Sequence, residues 1–297
     1  MSREQVLAEE YTRCRSRLIR VAYALLGTRA EAEDVVSDCW LRLVAADARE
    51  RIEDVEAWAT VTVAHAALDV LRSARVRREE YVGPWLPEPL VGALPQRDDP
   101  AEQVTLHETV SFAVMVLLET LTPAERTSWA LRELFGMSYD EIAGVVGRSP
   151  AAVRQLVTRA RAHIAAGAPR VRVDSDQHSQ AVAAFTRAAT EGDLAALIKV
   201  LDPAVVLTSD GGGKVTAARR PVHGPDRVGR FLIGIANQLS QEERVIPLAV
   251  NGGPGFAVVD PNDTRVVCAL TIHNGLVTRV DIVVSPDKLP DLTQQWC

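Results

Sequence analysis

The chain has few cysteines, no long apolar run and, in its first 172 residues, no lysine. Its four cysteines (Cys14, Cys39, Cys268 and Cys297) are scattered, so their spacing predicts neither a zinc site nor a disulfide framework. No stretch approaches the roughly 20 apolar residues that cross a bilayer, and the polar N-terminus does not have the pattern of a secretory signal. We therefore expect a cytoplasmic protein with no membrane partner, no metal and no cofactor.

Length and composition are those of a folded protein with several domains. The sequence has 297 residues, of which 47% are hydrophobic and 24% are charged. This balance is ordinary for globular proteins and excludes a disordered or fibrous protein. The length is enough for about two or three domains, each with its own core.

Positive charge is concentrated in two places. The net charge of −6 argues against a nucleic-acid partner, but residues 148–172 contain six arginines and no acidic residue. A second cluster consists of Arg72, Arg75, Arg77 and Arg78. Because local charge decides where phosphates bind, these clusters predict two separate surfaces for nucleic acid.

Residues 1–80 have the pattern of a helical domain with short connections. The spacing of Thr28-Arg29-Ala30-Glu31 predicts a capping box at the start of the second helix. Asp34 and Asp38 lie four residues apart on that helix, away from its predicted apolar face. A third helix is predicted from about residue 55 to 78, ending in the arginine cluster of Arg72, Arg75, Arg77 and Arg78.

Residues 81–105 interrupt the helical pattern with several prolines and predict a linker. The segment contains Trp85-Leu86-Pro87-Glu88-Pro89. Its apolar side chains would cost free energy if they were left in water, so we expect another part of the protein to cover them.

Residues 106–168 predict a second helical domain with clear boundaries. Thr122-Pro123-Ala124-Glu125 and Ser138-Tyr139-Asp140-Glu141 have the spacing of capping boxes. Gly147 and the Ser149-Pro150 pair then predict a tight turn between two helices. The helix after this turn places Arg154, Gln155, Thr158 and Arg159 opposite its apolar face. This pattern is typical of a helix-turn-helix that enters the DNA major groove, and a solvated arginine face in a helical bundle is the alternative.

Residues 174–297 change from helical to strand-rich patterning and predict an α+β cone, with helices on one side of a curved sheet. Helices are predicted at about residues 177–191, 194–201 and 226–239. Strands are predicted at 205–208, 215–220, 245–250, 257–259, 266–271 and 277–284.

The two helical domains resemble bacterial sigma factors of the extracytoplasmic-function (ECF) type. The resemblance rests on the run from Ala32 to Trp40, on Glu56-Ala57-Trp58, on the run from Ala67 to Arg72 and on the helix-turn-helix. It covers about residues 5–168. It implies a subunit of RNA polymerase in which region 2 opens the minus-10 promoter element and region 4 reads the minus-35 element. It also implies core RNA polymerase and promoter DNA as partners, and a monomer outside the holoenzyme.

The resemblance assigns a polymerase-binding role to the second helix and a DNA-binding role to the third. The second helix would dock on the β′ clamp helices through Asp34, Asp38, Trp40 and Leu41, and the polymerase β subunit would be a further contact. An exposed acidic stripe suits such a basic partner. His65 stands where the family usually has an asparagine that holds a flipped base, and alanines replace the usual flanking arginines. The strand phosphates would be followed by Arg72, Arg75, Arg77 and Arg78.

In region 4 the resemblance separates base contacts from phosphate contacts. The residues at base-reading positions are Arg154, Gln155, Thr158 and Arg159. Those at phosphate positions are Arg148, Ser149 and Arg161. Arginine pairs well with guanine and glutamine with adenine, which agrees with the assignment.

The C-terminal residues resemble SnoaL-like proteins of the cone-shaped nuclear-transport-factor fold, and one group of these sigma factors carries such an extension. Three motifs mark that group here. They are the Trp85–Pro89 linker, the glycine loop Asp210-Gly211-Gly212-Gly213-Lys214, and Ser285-Pro286-Asp287-Lys288-Leu289, in which Ser285 replaces the usual asparagine. We predict that the second and third motifs meet the linker and regulate the sigma factor in cis.

Two other interpretations of the residues stay open. A free-standing helix-turn-helix regulator would bind duplex DNA without polymerase. The cone could also sense a small molecule or act as an enzyme with a base among Asp210, His223, His273 and Asp281. Nucleotide binding is disfavoured, because the glycine loop lacks the first glycine and the final Ser or Thr of a phosphate-binding loop.

Overall fold

The computed structural model describes residues 2–79, 81, 83–92, 110–167 and 175–292, and the side chains at 74–79, 167 and 175–179 lie outside that description. The protein divides into two compact units. The helical unit contains residues 1–80 and 117–167, and the cone unit contains residues 81–116 and 168–297. Each is described by itself.

The helices precede most of the strands along the sequence. In sequence order the described elements are α1 (Arg3–Leu26), α2 (Arg29–Asp47), α3 (Val55–Glu79), β1 (Val91–Gly92), α4 (Phe112–Leu118), α5 (Pro123–Glu133), α6 (Tyr139–Val146), α7 (Pro150–Gly167), α8 (Ser175–Thr190), α9 (Leu194–Val200), β2 (Leu201–Asp210), β3 (Val222–His223), α10 (Pro225–Ala236), β4 (Arg244–Val250), β5 (Gly253–Val259), β6 (Thr264–His273), β7 (Leu276–Val283) and a short 3₁₀ helix (Pro286–Lys288).

Local chemistry sets the helix boundaries in the helical unit. The predicted capping boxes at Thr122 and Ser138 are confirmed, because each hydroxyl accepts from the backbone N–H three residues later and the glutamate there accepts from the cap backbone N–H. The capping box predicted at Thr28 is wrong. Its hydroxyl donates to the Glu31 carboxylate at 2.7 Å and makes no cap hydrogen bond to the backbone.

A buried arginine joins the two helical regions within this unit. Arg126 of α5 is 1% exposed, and its Nε and Nη2 atoms donate to the Ala24 carbonyl of α1 at 3.2 and 3.1 Å. The same guanidinium pairs with Glu119. A buried charge without partners would lower the stability of the fold. The hydrogen bonds to Ala24 and the ion pair with Glu119 therefore fix α5 against the end of α1.

The cone unit is built on a seven-stranded sheet in the order β1-β4-β5-β6-β7-β2-β3. β2 and β7 are parallel, and the other neighbouring pairs are antiparallel. Phe185, Leu197 and Val228 from the helices α8, α9 and α10 belong to a buried cluster with side chains of the sheet. The predicted α+β cone is confirmed.

Side chains of the linker and α4 form a second core cluster with the sheet. It contains Leu86, Phe112 and Val116 together with Val267 and Val283. The side chains of a strand point alternately to the two faces of a sheet, so Val267 and Val283 lie on the face opposite to Cys268 and Ile282, which pack with the helices. The predicted cover for the linker is therefore the sheet itself.

Three features of the sheet differ from the sequence pattern. The strand predicted at residues 215–220 is wrong, since these residues form a turn and a loop after the glycine loop. Val215 is exposed, and its N–H bonds back to Gly211 instead of to a neighbouring strand. Strands β1 and β3 were not predicted. Each has two residues, too few for an alternating pattern.

At one end of the helical unit, Asp47 ties α1 and α2 to the segment before α3. Its carboxylate accepts from Arg3 at 2.6 and 2.9 Å and from the Ile52 backbone N–H at 2.9 Å. The hydrogen bond from Arg3, followed by that from Ile52, lowers the pKa of Asp47 to about 2.

Asp47→Asn is expected to destabilise the fold at neutral pH and to matter less as the pH falls. The unfolded carboxyl takes up a proton near about pH 3.9, whereas the folded one does so near pH 2. The stabilisation is therefore complete above the unfolded pKa and is lost as the pH falls through the folded pKa. Urea unfolding at several pH values measures it, with the exposed Asp38→Asn as control. A deficit in stability that stays constant down to pH 2 would contradict this role.

Candidate nucleic-acid interface and linker site

Helices α6 and α7 form the predicted helix-turn-helix. α6 ends at Gly147, whose φ of 69° is left-handed and therefore suits glycine. The Ser149 hydroxyl accepts from the Ala152 N–H at 3.2 Å, as expected of a residue that caps α7. Val153 and Val157 of α7 are buried, which leaves the opposite face of the helix to solvent.

The exposed face of α7 and the turn before it carry the residues predicted for minus-35 recognition. The Arg154 guanidinium lies 5.1 Å from the centre of the Tyr139 ring, a cation–π distance that restrains this side chain. The Thr158 hydroxyl donates to the Arg154 carbonyl at 2.9 Å, so its oxygen is left to accept. The exposed residues of this set are Arg148, Ser149, Arg154, Gln155, Thr158, Arg159 and Arg161.

Two of these arginines are paired with acids of α5, which the sequence did not indicate. Arg159 lies 3.0 Å from Glu125, and Arg161 lies 2.7 Å from Glu133. Burial acts to raise the pKa of Glu125, but hydrogen bonds from Thr122 and Arg159 together outweigh it, so the pKa is lowered. Exposed ion pairs are weak, and a DNA phosphate or base can therefore compete for both arginines.

The outer face of α2 combines acidic side chains with one exposed apolar side chain. Asp34 and Asp38 are exposed, and Leu41 is 67% exposed. Their spacing of four and three residues places them on the same side of the helix. Trp40 is half-buried against Tyr11, with 5.5 Å between ring centres, so only part of its surface is available for a partner.

On α3, the structure describes part of the predicted minus-10 surface. His65 and Arg72 are exposed, and Arg72 lies 3.3 Å from Asp69. The side chains of Arg75, Arg77 and Arg78 lie outside the described residues.

Within the cone unit the three predicted regulatory segments meet at a buried ion pair. The Lys288 ammonium lies 2.7 Å from Asp210 Oδ2 and donates to the Leu86 carbonyl at 2.7 Å. The Leu86 N–H donates to the same carboxylate at 2.8 Å. We call Leu86, Asp210 and Lys288 the linker node. Each segment contributes one residue to it.

Aromatic and backbone groups complete the surroundings of the linker node. The Tyr81 hydroxyl and the Gly212 N–H donate to Asp210 Oδ1 at 2.5 and 2.9 Å. The Lys288 ammonium lies 4.0 Å from the centre of the Trp85 ring. Burial and the bond to Asp210 raise the pKa of Tyr81, so it stays a donor. Buried charges need this full set of partners.

A close approach of two loops explains one glycine of the predicted loop. Gly212 has a φ of +68°, and a Cβ there would lie 2.3 Å from Ser285 Oγ. Lys214 and Asp287 from the same two loops form a second ion pair of 2.7 Å, and both side chains are exposed. Pro87 and Pro89 are buried and Glu88 is half-buried. In the third motif, Pro286 is exposed, and Leu289 is half-buried against the core cluster that contains Leu86.

Asn251 binds the backbone within the linker, at Leu90, and after it, at Val110. This residue was not identified from the sequence. Its Oδ1 accepts from the Leu90 N–H at 3.0 Å, and its Nδ2 donates to the Val110 carbonyl at 3.1 Å. The backbone φ of 47° is left-handed, which asparagine tolerates. In the sequence, Asn251-Gly252-Gly253 is indistinguishable from an ordinary hairpin turn.

Comparisons with known proteins agree with this geometry. Residues 11–77 match the family model "Sigma-70 region 2", and residues 111–164 match "Sigma-70, region 4". The ECF RNA polymerase sigma factor SigJ of Mycobacterium tuberculosis is 38% identical over 290 residues, which are 94% of this protein and 92% of SigJ. The protein belongs to the ECF sigma factors.

Two further comparisons extend the similarity of this sigma factor to its C-terminal domain. The probable ECF sigma factor SigI of M. tuberculosis is 32% identical over 98% of both proteins. The crystal structure of M. tuberculosis SigJ superposes with a TM-score of 0.75 at 34% identity, covering 95% of this protein and 97% of that one. Like its family, this sigma factor directs RNA polymerase to promoters.

The structure does not gather the four residues considered as a catalytic base. Asp210 belongs to the linker node, and His223 is on the short strand β3. His273 ends β6. Asp281 is buried and pairs with Arg279 at 2.7 Å. Burial raises the pKa of Asp281.

The described part of the protein contains neither a metal-binding cluster nor a membrane-spanning helix. No group of three or more His, Cys, Asp or Glu side chains could hold a metal ion there. None of its helices is both long and apolar enough to cross a membrane.

Arg154→Ala is expected to weaken promoter binding by about 1–3 kcal/mol at one minus-35 base pair. Arg161→Ala, at a predicted phosphate position, is expected to weaken binding equally on all sequences. The measurement is the affinity of the holoenzyme for a panel of single-base minus-35 variants. Uniform loss for Arg154→Ala would make this residue a phosphate contact instead.

Proposed function

We propose that this sigma factor is controlled in cis by its cone domain, which grips the interdomain linker through the linker node. In the cytoplasm its region 2 would open the minus-10 element and its region 4 would read the minus-35 element. Promoter DNA and core RNA polymerase would be its partners. The observation that carries the proposal is the buried pair of Asp210 and Lys288 closed on the backbone of Leu86.

The cone unit contacts the linker at more than one place, which supports control of the conformation of the linker. Beyond the linker node, Val91 and Gly92 add an edge strand that pairs with β4. Asn251 binds the backbone at Leu90 and Val110. Since regions 2 and 4 lie on either side of this linker along the sequence, its anchoring limits how the two DNA-binding surfaces can be spaced.

A covalently attached domain is an efficient controller, because the tether keeps its local concentration high. The linker node uses the backbone amide and the backbone carbonyl of Leu86, so these two hydrogen bonds do not depend on the identity of that side chain. The apolar side chain of Leu86 is nevertheless 1% exposed and packs on the sheet, which adds the affinity of apolar burial.

For polymerase binding we propose the face of α2 formed by Asp34, Asp38 and Leu41, with Trp40 at its edge. An exposed leucine beside two carboxylates is typical of an interface that combines an apolar anchor with charge complementarity. Packing within the described part of the helical unit does not require Leu41 to be apolar, since it is 67% exposed.

Leu41→Ala is expected to weaken binding of core RNA polymerase by about 1–2 kcal/mol, as for an interface anchor, without changing stability. The control is Ile198→Ala, which shortens another exposed aliphatic side chain (36%) in the cone unit. Titration of labelled sigma factor with core enzyme gives both affinities. If the two variants bind equally well, polymerase does not dock on this face.

Lys288→Met is expected to lower the free energy of unfolding of the cone unit by about 3–5 kcal/mol, because Asp210 keeps a buried charge without its cation. The matched control is Lys214→Met, which breaks the exposed bridge to Asp287 and is expected to cost less than about 1 kcal/mol. Urea unfolding measures both losses. The double variant Asp210→Asn/Lys288→Met removes both charges and is expected to recover part of the stability; equal losses for Lys288→Met and Lys214→Met would contradict the role of the buried pair.

Transcription in vitro with core polymerase tests the regulatory role of the linker node. On promoters whose minus-35 and minus-10 elements are separated by different lengths, the double variant is expected to accept a wider range of spacings than the wild type. Lys214→Met should keep the wild-type preference. An unchanged preference in the folded double variant would refute control through the linker node.

A further inference from the structure

The cone unit contains an apolar cavity that the linker node does not use. Its volume is about 350 Å³, which lies within the range of small-molecule sites. Phe185 of α8, Phe231 of α10 and Phe256 of β5 contribute aromatic walls, and Ile282 and Cys268 contribute side chains from the sheet. Among the residues that the structure describes, no acidic, basic or histidine side chain lines the cavity.

The polar groups at the cavity are few and uncharged. Ser209 is buried in the wall, Thr186 is half-buried there, and the exposed side chains of Thr190, Thr216 and Gln238 border the mouth. Burial raises the pKa of the Cys268 thiol well above its ordinary value, so this side chain is neutral too. An ion would lose its hydration without gaining a counter-charge. The cavity therefore fits a neutral ligand with one or two hydroxyl or carbonyl groups.

The cavity wall and the linker node share the end of strand β2. Ser209 lines the cavity, and its neighbour Asp210 is in the linker node. Val284 lines the cavity, and its neighbour Ser285 contacts the glycine loop. Neighbouring residues of a strand point to opposite faces, so a shift of the end of β2 moves both sites.

We propose that this cavity binds a neutral, mostly apolar small molecule and that its occupation strengthens the hold of the linker node on Leu86. The binding site stands on the cavity alone. The regulatory part of the proposal rests on the function proposed above. Stronger binding of Leu86 at the linker node affects transcription only if the linker controls the promoter spacing that the sigma factor accepts.

Binding is tested on the full-length protein without polymerase, with two fluorescent probes that share one ring skeleton. N-phenyl-1-naphthylamine is neutral, and 8-anilino-1-naphthalenesulfonate carries a sulfonate. The neutral probe is expected to bind with one site per molecule and at least about tenfold more tightly than the anion, since the described lining offers no counter-charge. Equal affinities would overturn the assignment of a neutral ligand.

Cavity-filling variants locate the probe. Ala189→Phe fills the cavity from α8 and is expected to weaken the neutral probe by about tenfold or more. Ala195→Phe makes the same change at an exposed site on α9 and should bind like the wild type. Should Ala189→Phe fail to fold, Thr190→Trp closes the mouth from an exposed position. Undiminished binding by a folded cavity variant would place the probe elsewhere and refute the site.

Coupling is read from hydrogen exchange at Leu86, whose N–H donates to Asp210. The neutral probe is expected to slow exchange in the peptide containing Leu86, while peptides of α1 are unaffected. By reciprocity, the double variant Asp210→Asn/Lys288→Met should bind the probe more weakly by the same factor. Binding without either effect would refute the coupling and leave the control of promoter spacing, which transcription tests separately, untouched.

Discussion

The cone unit depends on one buried ion pair closed around a peptide group. Asp210 and Lys288 come from distant parts of the domain sequence, and their shared partner Leu86 comes from the linker. Removing one charge would leave the other buried and unpaired, so the ion pair couples the order of the glycine loop, the C-terminal segment and the linker. The two loops that carry the charges approach closely because Gly212 has no side chain.

The helical unit follows a different principle. The surfaces proposed to bind polymerase and DNA are exposed, and the internal order of the unit comes from apolar stripes, caps and the buried Arg126. The arginines of α7 are partly engaged by acids of α5, which orients them without hiding them. The proposed binding to polymerase and DNA would therefore use side chains already in place, while the proposed control acts on the linker between the two helical regions.

Much of this could be predicted from the sequence where local chemistry decides the outcome. Caps at Thr122 and Ser138 were visible because their partners lie three residues away, and the exposed face of α7 follows from helical periodicity. The burial of Lys288 and the exposure of Lys214 could not be predicted from the sequence. Both lysines follow similar turn residues, and only the tertiary fold makes their environments different. Asn251 was hidden for the same reason: its partners lie more than a hundred residues distant.

Because Asn251 binds the chain at two points, the number of residues between Leu90 and Val110 is only weakly constrained. Leu90 and Val110 are bound to one side chain, so the ends of the intervening stretch are fixed whatever its length. Doubling the length of a closed loop costs only about 0.6 kcal/mol. Insertions and deletions in that stretch should therefore be tolerated among relatives, while Asn251, whose side chain makes both hydrogen bonds, is not free to vary.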